Sequence, residues 1–287
     1  MAVGVVAVSL SGPLMASMAV APLAIAFWRN GLATVGLAPA ATVRRRGELA
    51  AVRGRTLTLV VASGAMLSVH FATWVTALTL TSVASATAIV CLQIAWVVGW
   101  QLVQGERFNA GVVVGLVLSF VGVLVVSGVD LRLSTRAVTG DLLALVGGAA
   151  AAAYMLIGAR ARQSLSTTTY TFVCYGSCAL ILLVACLLSG QPLGGYPAAQ
   201  WGLLVLVTLI PQMLGHSVFN HLLATTSPVL VSLALLLEVP GAALLAAVFL
   251  GQVPPWEAVV GLAVMVAGMA LVIVNNRAAG IEQAPID

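Results

Sequence analysis

The chain has 287 residues, 61% of them hydrophobic and only 7% charged, with a formal net charge of +4. Water-soluble domains carry about 25% charged residues, so this chain lacks the polar surface of a cytosolic enzyme, a secreted disulfide scaffold or a disordered protein. The composition is that of an integral membrane protein, in which about 20 apolar residues make one spanning helix.

Apolar runs separated by turn-like or charged breaks predict an all-α membrane protein with ten transmembrane helices. The spans are expected at residues 2–19, 22–42, 56–79, 82–103, 109–128, 140–158, 169–188, 200–223, 228–250 and 256–275. The first run has no basic residue before it, so it reads as a span and not as a cleaved signal peptide. Ala21-Pro22 makes the first break, and a linker with Arg44, Arg45, Arg46, Arg53 and Arg55 makes the second. The later breaks fall near Leu80-Thr81, at Gly105-Glu106-Arg107, over 129–139, from Ala159 to Gln163, from Ser189 to Ala199, from Thr225 to Ser227 and from Gly251 to Pro255.

All twelve basic residues are arginine. If the N-terminus is cytoplasmic, nine of them lie in inside linkers or the tail, Arg132 and Arg136 lie outside, and Arg29 lies within a span. The positive-inside rule therefore predicts that both termini are cytoplasmic. The clustered arginines are juxtamembrane, which suits anionic lipid head groups and not nucleic acid. Cys91, Cys174, Cys178 and Cys186 all fall inside apolar runs without a CxxC pair and read as small buried hydrophobes.

The strongest pattern is an internal repeat. An offset of 146 residues carries His70 onto His216, Ser82 onto Pro228, Gly105 onto Gly251, Gly115 onto Gly261 and Gly122 onto Gly268. This divides the chain into a first five-helix repeat (1–128), an outer linker (129–139), a second five-helix repeat (140–275) and a cytoplasmic tail (276–287). Five is odd, so the two repeats are expected to be inverted in the membrane, an architecture used by secondary transporters.

Two copies of a span, then Gly-Glu or Gly-Gln, then a span with glycines seven apart resemble the drug/metabolite transporter superfamily in its ten-helix EamA-type branch. The resembling residues run from Ala77 through Gly122, with Gly105-Glu106-Arg107, and from Leu237-Glu238-Val239-Pro240 through Gly268; Ile25-Ala26-Phe27-Trp28-Arg29 adds to them. Ile94 stands where the second repeat has Pro240, and Gln252 stands where the first has Glu106. The resemblance implies a transporter of the bacterial inner membrane that exports small metabolites, such as amino acids, or drug-like molecules. An importer or exchanger is the alternative within that class, and an intramembrane enzyme or scaffold the alternative outside it. No ATP motif is present, so the drive would be a substrate or proton gradient. There is no HExxH, no GxSxG and no clustered His/Cys set, so no catalytic constellation, metal or cofactor is expected. The expected partners are a small-molecule substrate, the lipid bilayer and a coupling proton, with a homodimer left open and no nucleic acid.

Ionisable groups within a membrane usually face a cavity or a partner. Glu238 lies ten residues into a 23-residue span, two residues before Pro240, which removes a backbone donor. Such a carboxyl can exchange protons, bind an ammonium group or serve as a structural acid between helices. Gln212, His216 and Asn220 are spaced by four and share one helix face. Their repeat partners Met66, His70 and Trp74 form a second stripe, and the two together would line a mixed apolar and polar pocket. Arg29 sits about 10 Å into its span, where it can snorkel outward, clamp a carboxylate or pair with an acid. Gln93 and Tyr154 are further cavity candidates. Trp201 and Trp256 read as interfacial anchors. Gly111, Gly115, Gly122, Gly261 and Gly268 read as close helix contacts. So does Gly147-Gly148, which no Lys-Ser/Thr follows as a phosphate loop would require.

Overall fold

The computed structural model describes residues 1–105, 107–131 and 134–278. Glu106, Arg132 and the tail beyond residue 278 lie outside the described residues. Those described are helical, with no strand among them. In chain order the helices are α1 (Ala2–Ser9), α2 (Ser11–Ala16), α3 (Pro22–Pro39), α4 (Arg46–Ala51), α5 (Gly54–Ala77), α6 (Val83–Val90), α7 (Gln93–Val103), α8 (Ala110–Leu131), α9 (Thr135–Arg162) and α10 (Thr167–Ser189). They continue with α11 (Ala198–Val207), α12 (Ser217–Leu222), α13 (Pro228–Leu236), α14 (Glu238–Leu250) and α15 (Trp256–Ala278). Six segments among the described residues are long and apolar enough to cross a membrane: Gly54–Ala77, Val83–Val103, Thr135–Arg162, Thr167–Ser189, Ala198–Leu222 and Pro228–Leu250. Ala2–Ala16, Ala110–Val125 and Trp256–Val272 are apolar but shorter. The chain is therefore a multi-pass membrane protein.

Local chemistry sets the ends of the helices. Ser82, Ser134, Ser166 and Ser227 each accept a hydrogen bond from the backbone N–H three residues on, which starts α6, α9, α10 and α13. Several segments are interrupted. The run from α11 to α12 passes through a π-helical stretch, Thr208–His216, that contains Pro211, whose missing donor loosens the helix. The fourth predicted span breaks at Cys91-Leu92 between α6 and α7, and the ninth breaks at Leu237 between α13 and α14. The 146-residue offset carries Cys91 onto Leu237, so the two halves break at corresponding positions. Only the second break has a nearby proline, so Pro240 is not what the break requires. The breaks also meet, because Cys91 Sγ lies 3.6 Å from the Leu235 carbonyl oxygen.

Close backbone approach governs the packing, as expected where lipid gives no hydrophobic drive between helices. Helix α8 packs along α15. A β-carbon placed on Gly115 would stand 2.6 Å from the Gly268 carbonyl oxygen, and one on Gly268 would stand 2.6 Å from that of Gly115. Gly122 meets the Gly261 carbonyl in the same way at 2.5 Å. Between these contacts Ser119 Oγ donates to the Gly115 and Met265 carbonyls. On α9, Gly147 faces Thr73 and Gly148 faces the Val90 carbonyl, so this pair does bring helices together. The four cysteines are free and buried.

Candidate functional site

The helix breaks open onto a cavity of about 560 Å³, counting its mouth. Seven of the nine sequence candidates line it: His70, Trp74, Gln93, Tyr154, His216, Asn220 and Glu238. They reach it from α5, α7, α9, the π-helical stretch, α12 and α14. Cys91, Met155 and Phe219 complete much of the apolar wall.

The polar groups divide into those that are satisfied and those that are not. The Tyr154 hydroxyl donates to Asn220 Oδ1, Asn220 Nδ2 donates to the Tyr175 hydroxyl at 3.1 Å, and that hydroxyl shares a 3.2 Å hydrogen bond with Ser217 Oγ. This chain holds one wall in place. His70 Nδ1 sits 3.0 Å from the Gly147 carbonyl oxygen. By contrast, the Glu238 carboxylate and the Gln93 amide are only 7% and 6% exposed, yet neither has a hydrogen-bond or ion-pair partner among the described residues. Trp74 Nε1 is likewise buried without an acceptor. Groups in that condition are costly in a low-dielectric interior, so they mark where a ligand can complete the bonding.

The aromatic groups form a layer on one side. His70 stacks on Trp74 with ring centroids 5.6 Å apart, and His216 meets Phe71 edge to face at 5.4 Å. His70 and His216, equivalent under the repeat, lie 6.5 Å apart. Behind Phe71 is Arg29, wholly buried, with its guanidinium 4.0 Å above the Phe71 ring. Arg29 Nε donates to Gln212 Oε1 at 2.8 Å, and Nη1 donates to Ser11 Oγ and reaches Met15 Sδ. Gln212 Nε2 in turn donates to Asn30 Oδ1. Arg29 and Gln212 therefore stand behind the cavity wall, joined to it through Phe71 and His216, and Arg29 does not snorkel outward.

Sequence reasoning missed Asn30, Phe71 and Tyr175. Tyr175 had a signal, since the offset carries Arg29 onto it. Phe71 had none beyond its place beside His70. Among the described residues no three His, Cys, Asp or Glu side chains converge as a metal site. The arrangement can enclose a small molecule between aromatic rings and present it with one carboxylate and one amide.

A model of the EamA-like transporter family matches residues 1–128 and 138–274, most of the chain. A solved structure titled "Crystal structure of protein" superposes with a TM-score of 0.71 at 18% identity, covering 96% of this chain and 96% of its own; the likeness is one of fold. No curated protein matches the chain.

Proposed function

The chain belongs to the EamA-like transporter family, and from that premise we propose that it is a ten-span secondary transporter of the bacterial inner membrane. It exports a small amphipathic molecule, an amino-acid-like metabolite or a drug-like compound, by alternating access between two inverted five-helix halves. The observation that carries this reading is the cavity at the paired helix breaks, where Glu238 and Gln93 lie buried and unpartnered. Interrupted helices at corresponding positions of two halves are the hallmark of a midplane transport site.

Four contacts support the inversion. Gly115 meets Gly268 while Gly122 meets Gly261, so each glycine touches the equivalent of the other. Reciprocal contacts of this kind belong to a two-fold relation. His70 against His216, and Ser119 Oγ against the Met265 carbonyl, pair equivalent positions directly. The arginine asymmetry supports cytoplasmic termini. Glu238 is the coupling group, exchanging a proton or an ammonium substrate within the cavity.

Flux of a pooled amino-acid and dye panel from proteoliposomes, with and without a pH gradient, tests this function. Selective flux that depends on the gradient is expected. A cavity that passes none of the panel in either condition contradicts the reading.

A further inference from the structure

The wall of the cavity carries one kind of formal charge, and it is negative. Among the described residues that line it, Glu238 is the single carboxylate and there is no arginine; the sequence holds no lysine. Arg29, the buried cation of the same bundle, is kept from the cavity by two rings in series. Its guanidinium lies over Phe71, Phe71 meets His216, and of these three only His216 lines the cavity. Two of its nitrogens are spent on Gln212, Ser11 and Met15, and the third, Nη2, is buried without an acceptor.

The neutral groups of the wall offer more acceptors than donors. A carbonyl oxygen only accepts, so His70 Nδ1, 3.0 Å from the Gly147 carbonyl, carries the hydrogen. In the neutral ring that leaves Nε2 as an acceptor. With the Glu238 carboxylate and Gln93 Oε1 this gives three side chains able to accept from one ligand. An ammonium group has three donors and no acceptor, which matches them. The body of the ligand meets aromatic surface: the rings of His70 and Trp74 lie within 24° of parallel, and Tyr154 and Phe219 stand in the same wall. An indole face also attracts a cation. A carboxylate on the ligand fares differently. The donors left for it are the Gln93 amide and Trp74 Nε1, both neutral. Its charge would repel that of Glu238, most strongly where the dielectric is low.

Resting on the transport reading above, we infer that the substrate is a protonated amine on an aromatic or apolar body, without a carboxylate of its own. The ammonium group binds Glu238, Gln93 and His70, and the body lies against Trp74 and Phe219. Selectivity against acids comes from the single negative charge in the wall and from the two rings that cover Arg29.

Tryptamine, tryptophan and indole-3-propionate test this, since they share one ring system and differ in their charged groups. Binding of each to the full chain in detergent is measured by isothermal titration calorimetry at neutral pH. Tryptamine should bind at least about tenfold more tightly than tryptophan, the fold-change of one charge-assisted hydrogen bond, and indole-3-propionate should bind more weakly still. Glu238→Gln, shown monodisperse by size-exclusion chromatography, should weaken tryptamine about tenfold and bring its affinity close to that of tryptophan. The three ligands on the wild-type protein give the comparison even if that variant does not fold. Tryptophan or indole-3-propionate binding as tightly as tryptamine overturns the inference, because a carboxylate would then reach Arg29 past Phe71. Binding of none of the three overturns it as well. Tryptamine binding without flux of any solute in proteoliposomes would keep the amine site and remove the transport reading. Selective flux of an acidic solute with which tryptamine does not compete would do the opposite.

Discussion

At Arg29 a guanidinium is held within the bundle by Gln212, Ser11, Met15 and the face of Phe71, with no carboxylate within ion-pair distance among the described residues. A buried charge must be met by hydrogen bonds or pay several kcal/mol. Gln212 is the link, because it accepts from Arg29 and donates to Asn30. Gln212→Leu should therefore destabilise the protein by about 1–3 kcal/mol, read as a lower thermal midpoint in detergent; an unchanged midpoint would show that the cluster re-forms without it. His216 stands differently, in the cavity wall and without a hydrogen-bond partner among the described residues. His216→Ala should weaken binding of a transported solute about tenfold, the equivalent of ~1.4 kcal/mol, with normal protein yield; loss of yield at unchanged affinity would make it a packing residue. At the surface, burial alone raises the Glu48 carboxyl. The hydrogen bonds from Ser166 and Thr169, with Arg45 at 3.9 Å, outweigh that and hold it below its ordinary value, and the charge of Arg162 also acts in this region. A depressed folded value means that the contact contributes above the unfolded value and is lost as pH falls through the folded one. Acidification across that window should lower the thermal midpoint of wild type more than that of Glu48→Gln. Equal slopes would contradict the assignment.

Among the elements, the contact of α8 with α15 leaves the least room. With 2.6 Å between a β-carbon at Gly115 and the Gly268 carbonyl, even one added methyl group forces the helices apart. Gly115→Val should destabilise by roughly 1–3 kcal/mol through overpacking, seen as reduced recovery of monodisperse protein. Recovery equal to wild type would show that the helices can separate without loss. This contact was legible in the sequence, since glycines seven apart recur in both halves and small residues at that spacing share a face. The π-helical stretch at Thr208–His216 was legible only as a weak point at Pro211, because the sequence gives the missing donor but not the length over which neighbours hold the altered ladder. The break at Cys91-Leu92 was not legible. No proline or glycine marks it; what stands at the break is a contact with the other half, Cys91 Sγ against the Leu235 carbonyl. For Glu238 the depth in the span was legible, and the 3.6-residue period put Gln212, His216 and Asn220 on a shared face. The sequence could not say that Gln212, within the π-helical stretch, bonds Arg29 and Asn30 instead of lining the cavity while His216 and Asn220 line it.

Across the whole molecule, the two halves bring their equivalent positions together: His70 to His216, Ser119 to Met265, and the break at Cys91 to that at Leu237. The polar chemistry placed on this frame is unequal. Arg29 in the first half is matched by Tyr175 in the second, and Leu92 by Glu238. On the proposed reading the frame would supply two exchangeable conformations, and the inequality supplies a site with one acid in it. An alternating-access cycle driven by protons needs that acid to gain and lose a proton inside the cavity, and Glu238 is the carboxylate that lines it. The most direct test is the pH-gradient dependence of flux through Glu238→Gln in proteoliposomes, beside wild type and with the same solute. The account predicts that the variant folds and exchanges solute down its own gradient but no longer responds to the pH gradient. A variant whose flux follows the pH gradient as wild type does would contradict it.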